Sequence, residues 1–509
     1  MPSAQPRPAP AAAVEPAAPR RTDALVLVVL AAAVVARVVF WLGAFPNSDE
    51  AYYWLWGRHP SLSYYDHAPL HAWVQGLFAA AFGRSLFALR LPTLLTTAGS
   101  LAILVKLTAA LRPGAARACA LTVAAAFLAS PLFVMFASFA WHDHLLVFFT
   151  LLAGWLWLGF LTDVARGGRG GTGRLALAAL ALGLAGLSKY NAVFLGLGIA
   201  ATLVADRRLR RLWRDPRLYA AAALALLVVS PVVVWNAGHG GASFRYNLVE
   251  RNLDHGALRL NLRGTLNLVL YSVFSLSPFL VWAVAAELQR RRRDPSAPEP
   301  LGSVHRRLAL VTFALPTLFF LALSTFSLVL YYWLIVGYLL LLPLAAGLVD
   351  RPRLLRAHLV YGLVASALMT FHAAVLPVSA LSPRIQDDDS KMMWGWDAVA
   401  AAVRRERATA PAGFLAASDY RSAAALAFAL DDPDVKALSQ RHSQFDFWLD
   451  APAHAGQSAL VLTDAWHPMT PWLRGRFRAV QRVAIVPITR LGFHVKDYEL
   501  WRGEGFEGG

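Results

Sequence analysis

Long apolar runs separated by short polar segments fill the first three quarters of the chain. A membrane-spanning helix needs about 20 predominantly apolar residues, and most of these runs reach or approach that length. The pattern therefore predicts a polytopic α-helical membrane protein with about 11, and at most about 13, transmembrane helices. The eleven runs lie at residues 24–44, 87–111, 116–137, 144–162, 174–187, 191–205, 218–236, 265–286, 307–324, 327–349 and 355–377. The runs at 174–187 and 191–205 are short, and they form either one broken hairpin or two thin spans.

Basic residues gather in alternate polar segments, and their distribution predicts the orientation of the chain. Short cytoplasmic loops of membrane proteins carry an excess of Lys and Arg. With the N-terminus in the cytoplasm, the cytoplasmic segments hold 23 basic residues and the opposite short loops hold 7. Because the predicted number of spans is odd, the C-terminal region is then expected outside the cytoplasm.

The two ends of the chain differ from the hydrophobic part. Residues 1–23 are rich in Pro and Ala and are predicted to form a disordered cytoplasmic tail ahead of the membrane domain at 24–377. Residues 385–509 carry mixed charges, short apolar runs at 458–463 and 483–488, and a helical stretch at 422–430. This pattern predicts a small extracytoplasmic α/β domain.

Composition excludes several other classes of protein. The chain is 57% hydrophobic and 16% charged, with a mean hydropathy of +0.47, whereas soluble domains are about 25% charged. The net charge of +17 comes from short runs between apolar segments, which indicates membrane topology and no nucleic-acid partner. The single cysteine, Cys119, excludes an intramolecular disulfide and metal sites built on paired cysteines.

Polar residues collect in the loops that are predicted on the outer side. Charges at a membrane are costly and usually functional, so these loops are the candidate site. The first loop, at 45–86, and a later loop, at 237–263, contribute most of the candidates, and two short turns contribute the rest. The candidates are Asp49, Glu50, Tyr53, Tyr65, Asp66, His67, His142, Asp143, His144, Lys189, Arg245 and His255.

Each of these features also has a simpler interpretation. Asp49 can be an interfacial carboxylate with Glu50 as its solvated neighbour, and Lys189 can be a lone residue that extends to the membrane surface. The cluster Tyr52, Tyr53, Trp54 and Trp56 is typical of an interfacial aromatic belt. The sequence His142–Asp143–His144 fits either a metal site or a polar cap at the end of a span.

Five motifs in order carry a resemblance that covers the whole chain. They are SDEAYYW, YYDHAPLHAW, FALRLPTLL, FASFAWHDHLLVFF and GLSKYNAVFLGLG, and a further motif, RHSQFDFW, lies at 441–448. Together they resemble the bacterial membrane glycosyltransferases of the dolichyl-phosphate-mannose protein mannosyltransferase and aminoarabinose lipid A transferase type, in the glycosyltransferase-C superfamily.

The resemblance implies a multi-pass enzyme of the bacterial inner membrane that moves a sugar, with inversion, from a polyprenyl-phosphate donor to a cell-envelope acceptor on the outer side. Lipid A, a polysaccharide, a lipid or a protein all remain open as acceptors. The resemblance places the catalytic base at Asp49, a second acidic residue at Asp143 and a basic residue at Lys189. Tyr65, Asp66 and His67 match a loop pattern of the family, in which Ala68 replaces a usual proline.

The chemistry of such a transfer agrees with these residue types. A base must take the acceptor proton, and the departing phosphate needs positive charge. We expect Lys189, Tyr65, His67, Arg245, His255 and Tyr53 to contact the donor phosphate or lipid, and Asp66, His142 and His144 to be the candidate ligands of a divalent Mg, Mn or Zn ion. The alternative is a transporter or flippase of lipid-linked sugars, which would place charges near the middle of the spans. A non-enzymatic assembly protein would not require this polar cluster.

Overall fold

The computed structural model describes residues 21–251, 260–293, 300–382 and 384–508. Helices dominate these residues. The α-helices are α1 (Arg21–Gly43), α2 (Ser48–Arg58), α3 (Leu70–Phe82), α4 (Leu86–Leu111), α5 (Ala116–Leu128), α6 (Pro131–Phe136), α7 (Asp143–Ala165), α8 (Thr172–Ser188), α9 (Val193–Ala205), α10 (Pro216–Gly238), α11 (Ala242–Arg245), α12 (Leu262–Leu276), α13 (Pro278–Arg293), α14 (Pro300–Ser324), α15 (Ile335–Leu339), α16 (Pro352–Thr370), α17 (Asp388–Lys391), α18 (Trp396–Thr409), α19 (Tyr420–Leu430) and α20 (Pro471–Arg474). Short 3-10 or π-helical turns occupy Pro113–Ala115, Tyr190–Ala192, Arg207–Arg214, Tyr246–Glu250, Tyr331–Leu334, Leu342–Leu348, Phe371–Val375, Val378–Ala380, Gln444–Phe447 and Pro452–His454.

Six of the described helices are long and apolar enough to cross a membrane, which supports a multi-pass membrane protein. The number rises to eight if each of two bent helix pairs forms one span. The predicted count of eleven is not confirmed. Part of the difference arises because α5, α8 and α9 have 13, 17 and 13 residues, and a 13-residue helix is only about 20 Å long.

The predicted spans at 265–286 and 327–349 are not single straight helices. The first is bent by 90° between α12 and α13, and the second by 77° after α15. At the first bend Ser277 has a φ of 83° and Pro278 follows it. A proline cannot donate the hydrogen bond that would continue α12, so the chain turns there.

The predicted first outer loop, 45–86, contains two packed helices, α2 and α3. Their backbones nearly touch at Gly57 and Gly76, where a Cβ on Gly57 would lie 2.5 Å from the Gly76 backbone nitrogen. Two glycines are therefore required at this crossing. The contact fixes α2, which carries Asp49, against α3.

The C-terminal region, residues 384–508, contains a five-stranded mixed sheet. The strands are β1 (Phe414–Ala417), β2 (Lys436–Ala437), β3 (Ala459–Asp464), β4 (Phe477–Arg490) and β5 (Phe493–Phe506). Their order is β2-β1-β3-β5-β4, with β1 parallel to both β2 and β3, and β5 antiparallel to both β3 and β4. The two predicted strands and the predicted helix of this region are present as β3, part of β4 and α19.

The C-terminal region shares a hydrophobic core with the membrane helices. One continuous cluster of buried side chains joins Phe40 of α1 and Tyr52 of α2 to Trp396 of α18 and Leu460 of β3. A second, larger cluster lies among α1 and the helices from α4 to α16. The first cluster therefore places residues of the C-terminal region directly over the start of α2.

Candidate active site

The start of α2 is held by a buried ion pair between Glu50 and Arg90. Arg90 Nε and Nη2 donate to the two carboxylate oxygens of Glu50 at 2.9 and 2.8 Å, and both side chains are fully buried. The backbone N–H groups of Asn47 and Ala140 donate to the same carboxylate. Arg90 also donates to the Ala44 carbonyl near the end of α1. The interpretation of Glu50 as a solvated neighbour is therefore wrong, because it joins α1, α2, α4 and the segment before α7.

Asp49, one residue earlier, is partly buried and is influenced by charged residues of the C-terminal region. The adjacent Ser48 hydroxyl donates to Asp389 at 3.2 Å, and Asp389 lies 3.9 Å from the Arg421 guanidinium. Burial raises the pKa of Asp49 to about 6, the charge of Asp389 adds to this increase, and the guanidinium groups of Arg421 and Arg441 oppose it. A carboxylate with a pKa close to the working pH is suited to general-base catalysis.

Asp66 is fixed by a hydrogen-bond chain that ends in the C-terminal region. The Tyr52 hydroxyl donates to Asp66 at 2.8 Å and accepts from the backbone N–H of Gln444 at 2.7 Å. The Tyr65 backbone N–H donates to the side-chain oxygen of Gln444 at 2.7 Å. Burial raises the pKa of Asp66, while the charge of Arg441 lowers it. The YYD motif and the RHSQFDFW motif thus form one network.

Lys189 is paired with Asp143 at the start of α7. Its ammonium group donates to Asp143 at 2.8 Å and lies 5.1 Å from the centre of the Tyr332 ring. The Lys189 side chain is 7% exposed, so it does not extend to the membrane surface. Burial lowers the pKa of Lys189, and the charges of Asp143 and Asp49 oppose this shift. The ring of His142, the residue before Asp143, lies 5.3 Å from the Tyr53 ring, so the first motif and the Lys189 motif meet in space.

Tyr53 forms the centre of an aromatic and imidazole cluster at this position. Its ring lies 6.1 Å from the His67 ring and 5.3 Å from the His142 ring, and these two imidazoles are 4.1 Å apart. Burial keeps the pKa of His67 well below its ordinary value, and the charge of Lys189 lowers it further, so His67 is neutral near pH 7. Seven predicted residues are therefore brought together: Asp49, Tyr53, Asp66, His67, His142, Asp143 and Lys189.

The aromatic residues of the first motif do not form an interfacial belt. Tyr52, Tyr53, Trp54 and Trp56 are each at most 5% exposed. Tyr52 packs against Tyr420 and Phe445, with ring centroids 4.9 and 5.7 Å apart. Trp54 packs against Phe428, with ring centroids 5.0 Å apart, so Tyr52 and Trp54 form part of the contact between α2 and the C-terminal region.

The three predicted metal ligands have different neighbours in the structure. Among the residues that the structure describes, no group of three or more His, Cys, Asp or Glu side chains is placed to hold an ion. Asp66 accepts from Tyr52, and His142 lies beside His67. His144 Nδ1 instead lies 2.8 Å from the Thr96 hydroxyl. Successive residues at the start of a helix point in directions about 100° apart, so His142 and His144 diverge.

Two predicted donor contacts, Arg245 and Tyr65, interact with Glu250 away from this cluster. A third predicted donor contact is His255. Arg245 pairs with Glu250 at 2.8 Å and is 62% exposed. The Tyr65 hydroxyl donates to the same Glu250 at 2.7 Å. His255 lies outside the described residues.

Several residues around Asp49 were not selected from the sequence. The charges of Asp389, Arg421 and Arg441 act on Asp49. The charges of Asp143 and Asp49 both act on the Tyr332 hydroxyl. Arg441 could have been selected from the sequence, because it is the first residue of the RHSQFDFW motif. Arg421, Asp389 and Tyr332 could not, because they come from separate parts of the chain.

Comparisons with known proteins show what this chain is similar to. Residues 66–235 match the family model for dolichyl-phosphate-mannose-protein mannosyltransferase. A comparison with curated proteins finds no match. The structure is similar to that of ArnT from Cupriavidus metallidurans in the apo state, with a TM-score of 0.58 and 16% identity over 94% of this chain and 98% of that chain.

The same enzyme bound to undecaprenyl phosphate gives a TM-score of 0.61, again with 16% identity and with coverage of 94% of this chain and 98% of that chain. At this identity the comparison establishes the fold, and the family model adds the sequence match over residues 66–235. The resemblance to membrane transferases of the dolichyl-phosphate-mannose protein mannosyltransferase and ArnT type, expected from the motifs, is confirmed.

Proposed function

We propose that the protein is an inverting glycosyltransferase that moves a sugar from a polyprenyl-phosphate donor to a cell-envelope acceptor. The observation that carries this proposal is the placement of Asp49. It is a carboxylate with a pKa of about 6, close enough to the buried Lys189 for the two charges to interact. A base and a cation at one site are what displacement of a phosphate from a sugar requires.

In this reaction Asp49 takes the proton from an acceptor hydroxyl. The acceptor oxygen forms a bond to the anomeric carbon on the face opposite the phosphate. The bond between that carbon and the phosphate oxygen breaks, and the polyprenyl phosphate leaves with the electron pair. The result is inversion at the anomeric carbon.

Lys189 stabilises the departing phosphate, and Asp143 positions Lys189. An ammonium group has three N–H donors, and one of them reaches Asp143. The others are directed to the phosphate in this proposal. Tyr53 and His67 line the same space. A divalent ion is not assigned a role, because the described residues do not provide a set of ligands for it.

The donor lipid also needs an apolar environment. A cavity of about 310 Å³ lies between α12, α13, α14 and α15 and is lined almost entirely by apolar side chains such as Leu276, Leu310 and Leu341. We propose that it accommodates part of the isoprenoid chain. The ArnT structure bound to undecaprenyl phosphate supports a donor of this class. We also propose an inner-membrane location, which the resemblance implies, with the site on the outer side, which the distribution of basic residues supports.

The test combines cell fractionation and an assay of purified protein. Lipid and polysaccharide fractions from cells with and without the protein are compared by mass spectrometry, and the missing sugar identifies donor and acceptor. Cells that carry Asp49→Asn should lack the same sugar, because an amide cannot act as the base, and general-base catalysis contributes about 10²–10⁴-fold. Normal sugar transfer by folded Asp49→Asn protein would contradict the proposal.

A further inference from the structure

The β4–β5 hairpin ends in a tip that carries large apolar side chains in exposed positions. Arg490 of β4 pairs with Phe493 of β5, and Leu491 and Gly492 form the turn between them. These four residues, 490–493, are the hairpin tip. Leu491 is 65% exposed and Phe493 is 43% exposed. The fold therefore leaves much of the apolar surface of the tip uncovered.

The backbone of the hairpin tip makes its leucine unusual. Leu491 has a φ of 51° and Gly492 has a φ of 83°, so both residues of the turn are left-handed. Turns of this kind favour Asn or Asp followed by Gly, whereas a leucine is disfavoured there because its Cβ approaches the backbone. A leucine at this position is unfavourable both for the turn and for contact with water. We therefore expect a compensating environment outside the chain.

The hairpin tip lies at the end of a membrane-spanning helix. The Arg490 Nε donates to the Val375 carbonyl at 3.2 Å, and Val375 is the last residue of the apolar span Pro352–Val375. Ile488 of β4 belongs to the same buried cluster as Ala374, so the hairpin packs against the protein just behind its tip. The tip is thereby held at the level where this span ends, whichever side of the membrane that is.

A stripe of exposed apolar side chains runs along α16 and its continuation toward Val375. The members of the stripe are 39–60% exposed and follow one another at intervals of three or four residues, which places them on one face of the helix. They are Val360, Val364, Leu368 and Phe371. The lipid-facing surface of the span thus ends about one helical turn before the residue that contacts the hairpin tip.

The charged group of the hairpin tip suits the same environment. The Arg490 side chain is exposed, and its guanidinium lies 5.5 Å from the centre of the Trp394 ring. Within the described ranges, Arg490 forms no ion pair. An arginine can rest its apolar stem on a hydrophobic surface while its guanidinium reaches a phosphate. The tip therefore combines apolar side chains with a cation that is free to meet lipid headgroups.

We propose that the hairpin tip inserts into the bilayer beside the end of α16, so that phospholipid covers its apolar surface. The side chains of Leu491 and Phe493 leave water for the upper acyl chains, and the Arg490 guanidinium faces the phosphate groups. Insertion attaches the C-terminal region directly to lipid, in addition to its packing on α1 and α2. This inference does not depend on the proposed transfer reaction.

The test measures the depth of a fluorescent label beside the hairpin tip in the full-length protein. On a Cys119→Ser background, the label is attached at Thr489→Cys, which leaves Leu491 and Phe493 intact. Single protein molecules are placed in nanodiscs of phosphatidylcholine and phosphatidylglycerol that carry a nitroxide quencher on the upper acyl chain. We expect strong quenching of this label.

A label at Asp450→Cys is the control position, because it lies near the opposite end of the sheet. Asp450 accepts from the backbone N–H of Ala453, and the N–H of Gly456 donates to Phe506, the last residue of β5. A strand of 14 residues such as β5 is about 40 Å long. We therefore expect the acyl-chain nitroxide to leave this label unquenched.

Leu491→Asn combined with Phe493→Ser removes both apolar side chains from the hairpin tip. The equilibrium between inserted and free tip should shift at least about tenfold toward the free tip, so quenching at position 489 should fall to the level at position 450. The matched control Trp472→Ser removes a ring of similar exposure, 38%, near the start of β4, and it should leave quenching at position 489 unchanged.

Unfolding temperatures in detergent separate a loss of insertion from a loss of folding. Leu491→Asn alone should be at least as stable as the parent protein, because Asn is favoured at this turn position. This single variant should also reduce quenching at position 489, and it carries the test if the double variant does not fold.

Two results would overturn the inference. The first is equal quenching at positions 489 and 450. That result would leave the hairpin tip in water and point to a protein partner or a second copy as its occupant, since each nanodisc holds one molecule. The second is unchanged quenching at position 489 in folded protein that carries Leu491→Asn and Phe493→Ser, because the depth of the label would then not depend on the apolar side chains.

Discussion

Two buried acid–base pairs lie close together in this protein, and they differ in how far their hydrogen-bonding capacity is used. A carboxylate offers about four acceptor positions. Glu50 receives two donors from Arg90 and one each from the backbones of Asn47 and Ala140. The pair of Glu50 and Arg90 is therefore complete, and it serves to fix the ends of three helices.

The pair of Lys189 and Asp143 is not complete. Of the three donors of Lys189, one reaches Asp143. Beside them, the buried His142 places Nε2 3.2 Å from the Asp143 carboxylate without hydrogen-bond geometry, and its Nδ1 has no hydrogen-bond partner among the described groups. The first pair therefore supports the site, and the second pair has hydrogen-bonding capacity left for a ligand.

The first prediction has the largest expected effect, because a thiol is either labelled or not labelled. It tests on which side of the membrane both pairs lie. On a Cys119→Ser background, Leu62→Cys and Asp450→Cys should react with a membrane-impermeant thiol reagent in intact cells, because both positions are exposed and predicted on the outer side. Gly167→Cys, in the turn after α7, should react only after the cytoplasm is opened. The reverse labelling pattern would place both pairs and Asp49 on the cytoplasmic side.

The next largest effect is on stability and tests the role of Glu50. Glu50→Gln leaves the charge of Arg90 buried without a counterion, which typically costs about 3–5 kcal/mol. We expect a large fall in unfolding temperature in detergent, whereas Glu504→Gln, at an exposed position, should have little effect. Adding Arg90→Met to Glu50→Gln should restore part of the loss. An unchanged unfolding temperature for Glu50→Gln would remove the distinction between the two pairs.

The sequence predicts much of the site because its motifs place costly charges in a few short segments. Asp49, Asp143 and Lys189 could be selected because polar residues at the ends of apolar runs need a reason to be there. The burial of Glu50 could not be foreseen, because it depends on Arg90, 40 residues later, and on the backbone of Ala140. Likewise, the helical start at Asp143 decides that His142 and His144 point apart. The bends within two of the predicted spans could not be foreseen either, because a hydropathy pattern gives the length of an apolar segment and not the direction of its helix axis.

Substitutions at Lys189 should have an intermediate effect, which is measured as the rate of sugar transfer. A charge-assisted contact to phosphate contributes about 1.5–3 kcal/mol, so Lys189→Ala should lower donor turnover by about tenfold or more. Lys189→Arg should retain more activity because the charge remains. Asp143→Asn should also lower turnover, because the ammonium group would lose its partner. Donor binding and turnover are measured in detergent for all three variants, with Lys106→Ala as a control in α4. Equal turnover in all of them would leave Lys189 with a structural role only.

The smallest effect is a shift in pH dependence, and it tests how the C-terminal region acts on Asp49. With a pKa of about 6, Asp49 is protonated below that pH and cannot accept the acceptor proton, so transfer should fall about tenfold per pH unit well below pH 6. The charge of Asp389 raises this pKa and the charge of Arg421 lowers it. Asp389→Asn should therefore move the acid limb of the pH profile to lower pH, and Arg421→Gln should move it to higher pH. Shifts in the same direction in both variants would show that the C-terminal region affects Asp49 through structure, whereas opposite shifts are the expected signature of charge.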